Sequence, residues 1–177
     1  MKFTAAAFFL ATSAALTAAA PFAPSSTVYT PGTFHHPHGA SEGYYTHFKA
    51  LDGTLHTTYH GTTPPAGSVN STHTRRSGGG VQCQGLTFAA GDASAAAAGL
   101  AHALDGNPSF FHATSFVSGT AVAYGCDYGN GQHIGGTELT GYINDIAAAC
   151  GAGKQGYFNI PSAKASYGVT TAGSGFC

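Results

Sequence analysis

All four cysteines of the chain, Cys83, Cys126, Cys150 and Cys177, fall in its second half. Both helix-like patterns and nearly all the strand-like ones fall there too. Gly, Ala, Ser and Thr dominate the composition, so any core must be modest and built from small residues. A thin core of that kind needs covalent staples, and an even set of cysteines supplies them in an oxidising compartment. A zinc site is the competing use of four cysteines, but no CxxC spacing occurs. Four cysteines allow three pairings. Cys126 with Cys150 would tie a strand to the helix after it, leaving Cys83 to join Cys177, and the choice stays open.

Residues 1–20 carry Lys2, an apolar run through Phe8, Phe9 and Leu10, and then small residues. This is a secretory signal layout with cleavage near Ala18 to Ala20, and no later stretch is long and apolar enough to span a bilayer. From 21 to 76 the chain reads as a His-, Thr- and Pro-rich pro-segment, largely irregular, with alternation for at most one hairpin around Tyr44 to Tyr59. Seven of the ten histidines lie there. His35, His36 and His38 stand close enough to suggest metal capture, but no carboxylate or cysteine completes a ligand set, so they read as polar, pH-responsive positions. Asn70 opens the one acceptor sequon for a glycan. Arg75 and Arg76 form a dibasic pair followed by glycines, which reads as the site where a processing protease releases residues 77–177.

Within 77–177 the order is strand, helix, hairpin, helix and further strands. VQCQGLTF at 81–88 alternates as a strand. GDASAAAAGLAHALDG opens a helix with Asp92 or Ser94 as N-cap, with Ala97, Leu100, Ala101 and Leu104 on one face. Because that face is nearly all alanine, the helix should lie very close to its sheet. SFFHATSFV and TAVAYGCDY form a hairpin about Ser118 and Gly119. TELTGYINDIAAAC forms the second helix, with Thr137 as N-cap and Leu139, Tyr142, Ile143, Ile146 and Cys150 as its apolar stripe. The fold class is α+β: a small disulfide-stapled sandwich, mainly antiparallel, with two helices on one face in a split βαβ-like order.

Charge excludes several function classes. Charged residues are 7% of the chain and the formal net charge is −1, with no basic stripe for nucleic acid and no cationic face for an anionic membrane. After Arg76 two lysines stand against five carboxylates, and no arginine remains. Neither GxSxG nor HExxH occurs, and the carboxylates read as caps and turns. No cofactor or metal site is indicated. His112, in the Phe-rich strand, and His133, beside Asp127 and Glu138 around a Gly-rich loop, are the polar side chains of most interest. Tyr124, Tyr128 and Tyr157 are the aromatic residues best suited to an interface.

GCDYGNG at 125–131, IGGTELTGYINDIAAACG at 134–151, and the GYF and YGVTT runs resemble fungal killer-toxin-like secreted proteins. That group includes the toxins of smut fungi and necrosis-inducing effectors, and VQCQG at 81–85 is similar to their first strand. The resemblance covers roughly Val81 to Thr171. It implies a cysteine-stapled α/β sandwich, exported and acting on a host or a competing microbe. Those toxins depend on exposed basic residues, of which only Lys154 and Lys164 follow the dibasic pair. The expectation is a monomeric effector that binds an extracellular target instead of catalysing a reaction. A small hydrolase using His112 or His133, and a wall or matrix protein, are the alternatives.

Overall fold

The computed structural model describes residues 33–63, 78–106 and 109–177. Eleven strands and two α-helices follow in the order β1 (Phe34–His35), β2 (Gly43–Lys49), β3 (Leu55–Gly61), β4 (Gly80–Thr87), α1 (Ala90–Gly106), β5 (Ser109–Phe110), β6 (Ala113–Ser118), β7 (Ala121–Asp127), β8 (Gln132–His133), α2 (Gly136–Cys150), β9 (Lys154–Ile160), β10 (Ala165–Thr171) and β11 (Gly175–Phe176). Seven strands form one sheet in the order β3-β2-β6-β7-β10-β9-β4, while β1 pairs β11 and β5 pairs β8 in two short ribbons. Every described ladder is antiparallel. Strand direction therefore alternates across the large sheet. As a result β7 and β9, joined by α2, run the same way with β10 between them, and β4 and β6, joined by α1, also share a direction. The class is α+β with a mainly antiparallel sheet, two helices and two disulfides.

The helices pack on each other and on one face of the sheet. From α1, Ala96, Ala97, Leu100, Ala101, Ala103 and Leu104 are buried, on the alanine-rich face that the spacing marks out. Small residues let the helix come close: a β-carbon on Gly99 would lie 2.5 Å from the Phe116 ring of β6. From α2, Leu139, Tyr142, Ile143 and Ile146 enter the same core. There the Tyr142 ring stacks on Tyr167 of β10 at 5.4 Å. A second cluster lies on the opposite face, where Phe34 and Phe176 of the β1-β11 ribbon cover Tyr45, Val117, Val122 and Tyr124.

The acidic residues at the helix starts act across elements, where the sequence suggested local caps. Asp92 accepts from the backbone N–H and the hydroxyl of Thr120, each at 2.7 Å, and so pins the β6-β7 turn to α1. The N-cap of α2 is Gly135, with Thr137 inside the helix, and the acceptor for the Gly136 N–H is Asp105 at the end of α1, 2.7 Å away. A carboxylate there meets the positive end of the helix dipole. The run at 109–117 is not one strand. It breaks at Phe111 and His112, where His112 adopts φ 60°, and the two halves join different sheets.

Two larger expectations are corrected. The disulfides are Cys83–Cys150 and Cys126–Cys177, the pairing that joins the edge strand to the second helix and the end of β7 to the last residue. The reason is placement: β4 runs beside β9 under α2, so Cys83 meets the helix that Cys126 was expected to meet. The segment 21–76, read as largely irregular, supplies β1, β2 and β3 from its described part, and β2 pairs β6 inside the main sheet. The hairpin around Tyr44 to Tyr59 is present and is part of the sheet. His47 takes one of its buried positions, beside Tyr44, Tyr45 and Leu55, so its pattern looks partly polar in sequence. His36 and His47 are 2% and 1% exposed. The Ser115 hydroxyl lies 2.8 Å from Nε2 of His36 and 2.7 Å from Nε2 of His47. Its single proton goes to one imidazole, so the other must donate to the serine oxygen.

Candidate binding groove

The sheet face away from the helices is only partly covered by the β1-β11 ribbon, and a groove of about 330 Å³ lies beside that ribbon. Its floor follows from the register of three strands. Gly168 of β10 stands opposite Tyr124 of β7 on one side and Tyr157 of β9 on the other. Because Gly168 has no side chain, the Tyr124 hydroxyl extends over its backbone; a β-carbon there would lie 2.5 Å from that oxygen. Two residues along, Ser166 stands opposite Cys126 and Asn159. Tyr128 leans in from the end of β7, its hydroxyl 3.0 Å from the Ser166 hydroxyl. The Cys126–Cys177 disulfide closes one wall by holding the chain end, with Phe176, against β7.

The three tyrosines selected from sequence therefore converge, but not as equals. Tyr128 is 55% exposed and Tyr157 half-buried, whereas Tyr124 is 5% exposed and stacks on Phe176 at 5.1 Å. Tyr124 is therefore groove floor and not an exposed interface aromatic. Burial, with Tyr128 and Tyr157 nearby, pushes its hydroxyl well above the ordinary tyrosine range, so it acts only as a neutral hydroxyl. Gln84, Asn159 and Ser166 complete the polar lining. Sequence reading did not select them, since single amides and hydroxyls on strands carry no pattern. Among the described residues, none that lines the groove has an acidic, basic or imidazole side chain.

The histidines considered for catalysis lie outside this groove. His112 accepts the backbone N–H of Lys49 at Nδ1, 3.3 Å away, with the Phe48 ring against it at 5.0 Å. His133 meets the Ser109 hydroxyl at 3.0 Å across the β5-β8 ribbon. The carboxylates near that loop serve the structure. Asp127 accepts from Gly129, Gly131 and Gln132 at 2.8–3.0 Å, and Glu138 accepts the buried Tyr142 hydroxyl at 2.7 Å. Burial raises the Asp127 carboxyl, but hydrogen bonds from Gln132, Gly129 and Gly131 outweigh it and hold the group below its ordinary value. A second concavity, about 240 Å³, lies between α1 and α2, where alanines with Ile143 and Ile146 are joined by Ser94, Thr140, Asn144 and Lys154.

Among the described residues no group of three or more His, Cys, Asp and Glu could hold a metal ion, and no helix is long and apolar enough to cross a membrane. Asn70, Arg75 and Arg76 lie outside the described residues. Comparison with protein-family models, with curated proteins and with solved structures finds no match to this chain.

Proposed function

We propose that this is an exported, killer-toxin-like effector that acts as a monomer by binding an extracellular target of a host or a competing microbe. The observation that carries the reading is the groove, where Tyr124, Tyr128 and Tyr157 meet over a glycine and the described lining holds no His, Asp, Glu, Lys or Arg. Aromatic residues with polar tips suit recognition surfaces, and apart from the phenols the described lining offers no side chain for acid–base catalysis. The two disulfides favour an oxidising compartment. The alternating strand directions and two helices on one face support a split βαβ-like sandwich. Maturation proceeds by cleavage after Arg76, with a glycan at Asn70 on the leading segment.

The test pairs the secreted protein with a Tyr128→Ala/Tyr157→Ala variant in assays of plant-tissue necrosis and of microbial growth inhibition. The variant should keep its fold and disulfides and lose the effect at least tenfold. Full activity in the variant would refute the groove as the working surface. Intact mass of the secreted product should show a chain beginning at Ser77; a product beginning only near residue 20 would refute the cleavage.

A further inference from the structure

We infer that the groove takes a neutral saccharide, one sugar unit of a larger glycan, an inference that rests on the groove being the working surface. The reasoning is one of elimination followed by fit. Anionic ligands need a cation or a row of free N–H groups, and a cationic ligand would find tyrosine faces but no carboxylate side chain, since among the described residues no charged side chain lines the groove. A purely apolar ligand would leave the Tyr124 hydroxyl and the amides of Asn159 and Gln84 facing it without partners, at a cost of about 1–3 kcal/mol each. The groove floor is formed by β7, β10 and β9, interior strands whose backbone groups are already paired, so a peptide adding as a strand is confined to the walls, where β11 and β4 are edge strands.

A neutral sugar meets each of these conditions. Its C–H face is apolar and flat enough to lie on an exposed tyrosine ring, which Tyr128 and the half-buried Tyr157 provide. Its hydroxyls both donate and accept, matching the planar amides of Gln84 and Asn159 and the hydroxyl of Ser166. About 330 Å³ stands at the lower end of the roughly 300–1,000 Å³ usual for ligand pockets, which fits one ring with its neighbours extending into solvent. The Gly168 position lets the Tyr124 side chain lie along the floor, because a β-carbon there would enter the space that its hydroxyl occupies.

Titration of the intact protein with chitotetraose, laminaritetraose and mannotetraose, followed by calorimetry and by tyrosine emission, tests this. The chain has no tryptophan, so that emission comes from tyrosine alone. At least one of the three should bind. Tyr128→Ala should weaken it tenfold or more, Tyr128→Phe much less, and Asn159→Ala should weaken it without changing the melting temperature. Absence of binding by all three at 10 mM, or binding unchanged in Tyr128→Ala, overturns the saccharide inference. If sugars fail while Tyr128→Ala/Tyr157→Ala still abolishes the biological effect, the groove contacts a protein, and the proposed function survives without the sugar. If the double variant keeps full effect, both fall.

Discussion

Acidification into the imidazole range should destabilise this fold, because two imidazoles are sealed between the first ribbon and the main sheet. Burial lowers His36 from its ordinary 6.5 to about 4. His47 is driven down further by burial and by the facing His36 and His60. Among the described residues no carboxylate pairs with either imidazole; His36 packs against Ser115, Tyr45, His47 and Phe176. The unfolded chain therefore binds more protons than the folded one between pH 6.5 and 4, so stability falls as pH drops through that window. His36 alone accounts for about 2 kcal/mol by pH 5 and about 3 kcal/mol by pH 4. Against a typical total of about 5–15 kcal/mol this is a large share. Asp52, Asp92 and Asp127 lie below their ordinary 3.8 and titrate under the window, so the two effects separate. Urea midpoints at pH 7, 6, 5 and 4.5 measure the loss. His36→Phe keeps an aromatic ring in the site, leaves Ser115 bonded to His47, and should reduce the pH 7 to pH 5 loss by about 2 kcal/mol. A midpoint independent of pH, or an unchanged slope in His36→Phe, would refute the reasoning.

Other substitutions probe the staples, the floor and the caps. Cys126 and Cys177 are 51 residues apart, so Cys126→Ala/Cys177→Ala should cost about 4 kcal/mol on the chain-entropy argument, read as a lower urea midpoint; no shift would mean that the bridge restrains nothing. Gly168→Ala drives a β-carbon to 2.5 Å from the Tyr124 hydroxyl and 2.7 Å from the Gly156 carbonyl, and should cost about 1–3 kcal/mol. Gly141→Ala, in α2 with open space around it, should instead stabilise by about 0.5–1 kcal/mol; equal effects at the two glycines would contradict the packing described. Asp105→Ala should cost about 1 kcal/mol by uncapping α2, with Asp105→Asn recovering most of it, measured by thermal unfolding.

What the sequence disclosed and what it hid divide along physical lines. Both helices and the strands β6, β7, β9 and β10 were legible, because their buried faces carry Ala, Leu, Ile, Val and Phe at regular spacing; β4 showed only as an alternating run, although just Val81 of it is partly buried. β2 was only half legible. Its inward positions include His47, and the neighbouring His36 also faces inward, so residues that score as polar fill core sites when neutral and hydrogen-bonded. The disulfide pairing was not legible, since it depends on β4 lying beside β9, a contact between strands some seventy residues apart in sequence. Of the groove, the three tyrosines were visible as aromatics. Their convergence was not, because it depends on Gly168 facing Tyr124 and Tyr157 across two ladders. The exposure assumed for Tyr124 failed for the same reason: a side chain crossing a glycine is covered by what lies beyond it.

Both sulfur bridges join residues within 83–177, and none reaches β1, β2 or β3. Proteolysis at Arg76 would therefore turn one polypeptide into two associating species, with the strands of 33–63 becoming a ligand for the remainder. Their attachment would then obey mass action, weakening on dilution and as His36 and His47 take up protons. The same amino acids that stabilise a single chain would set the dissociation constant of a complex.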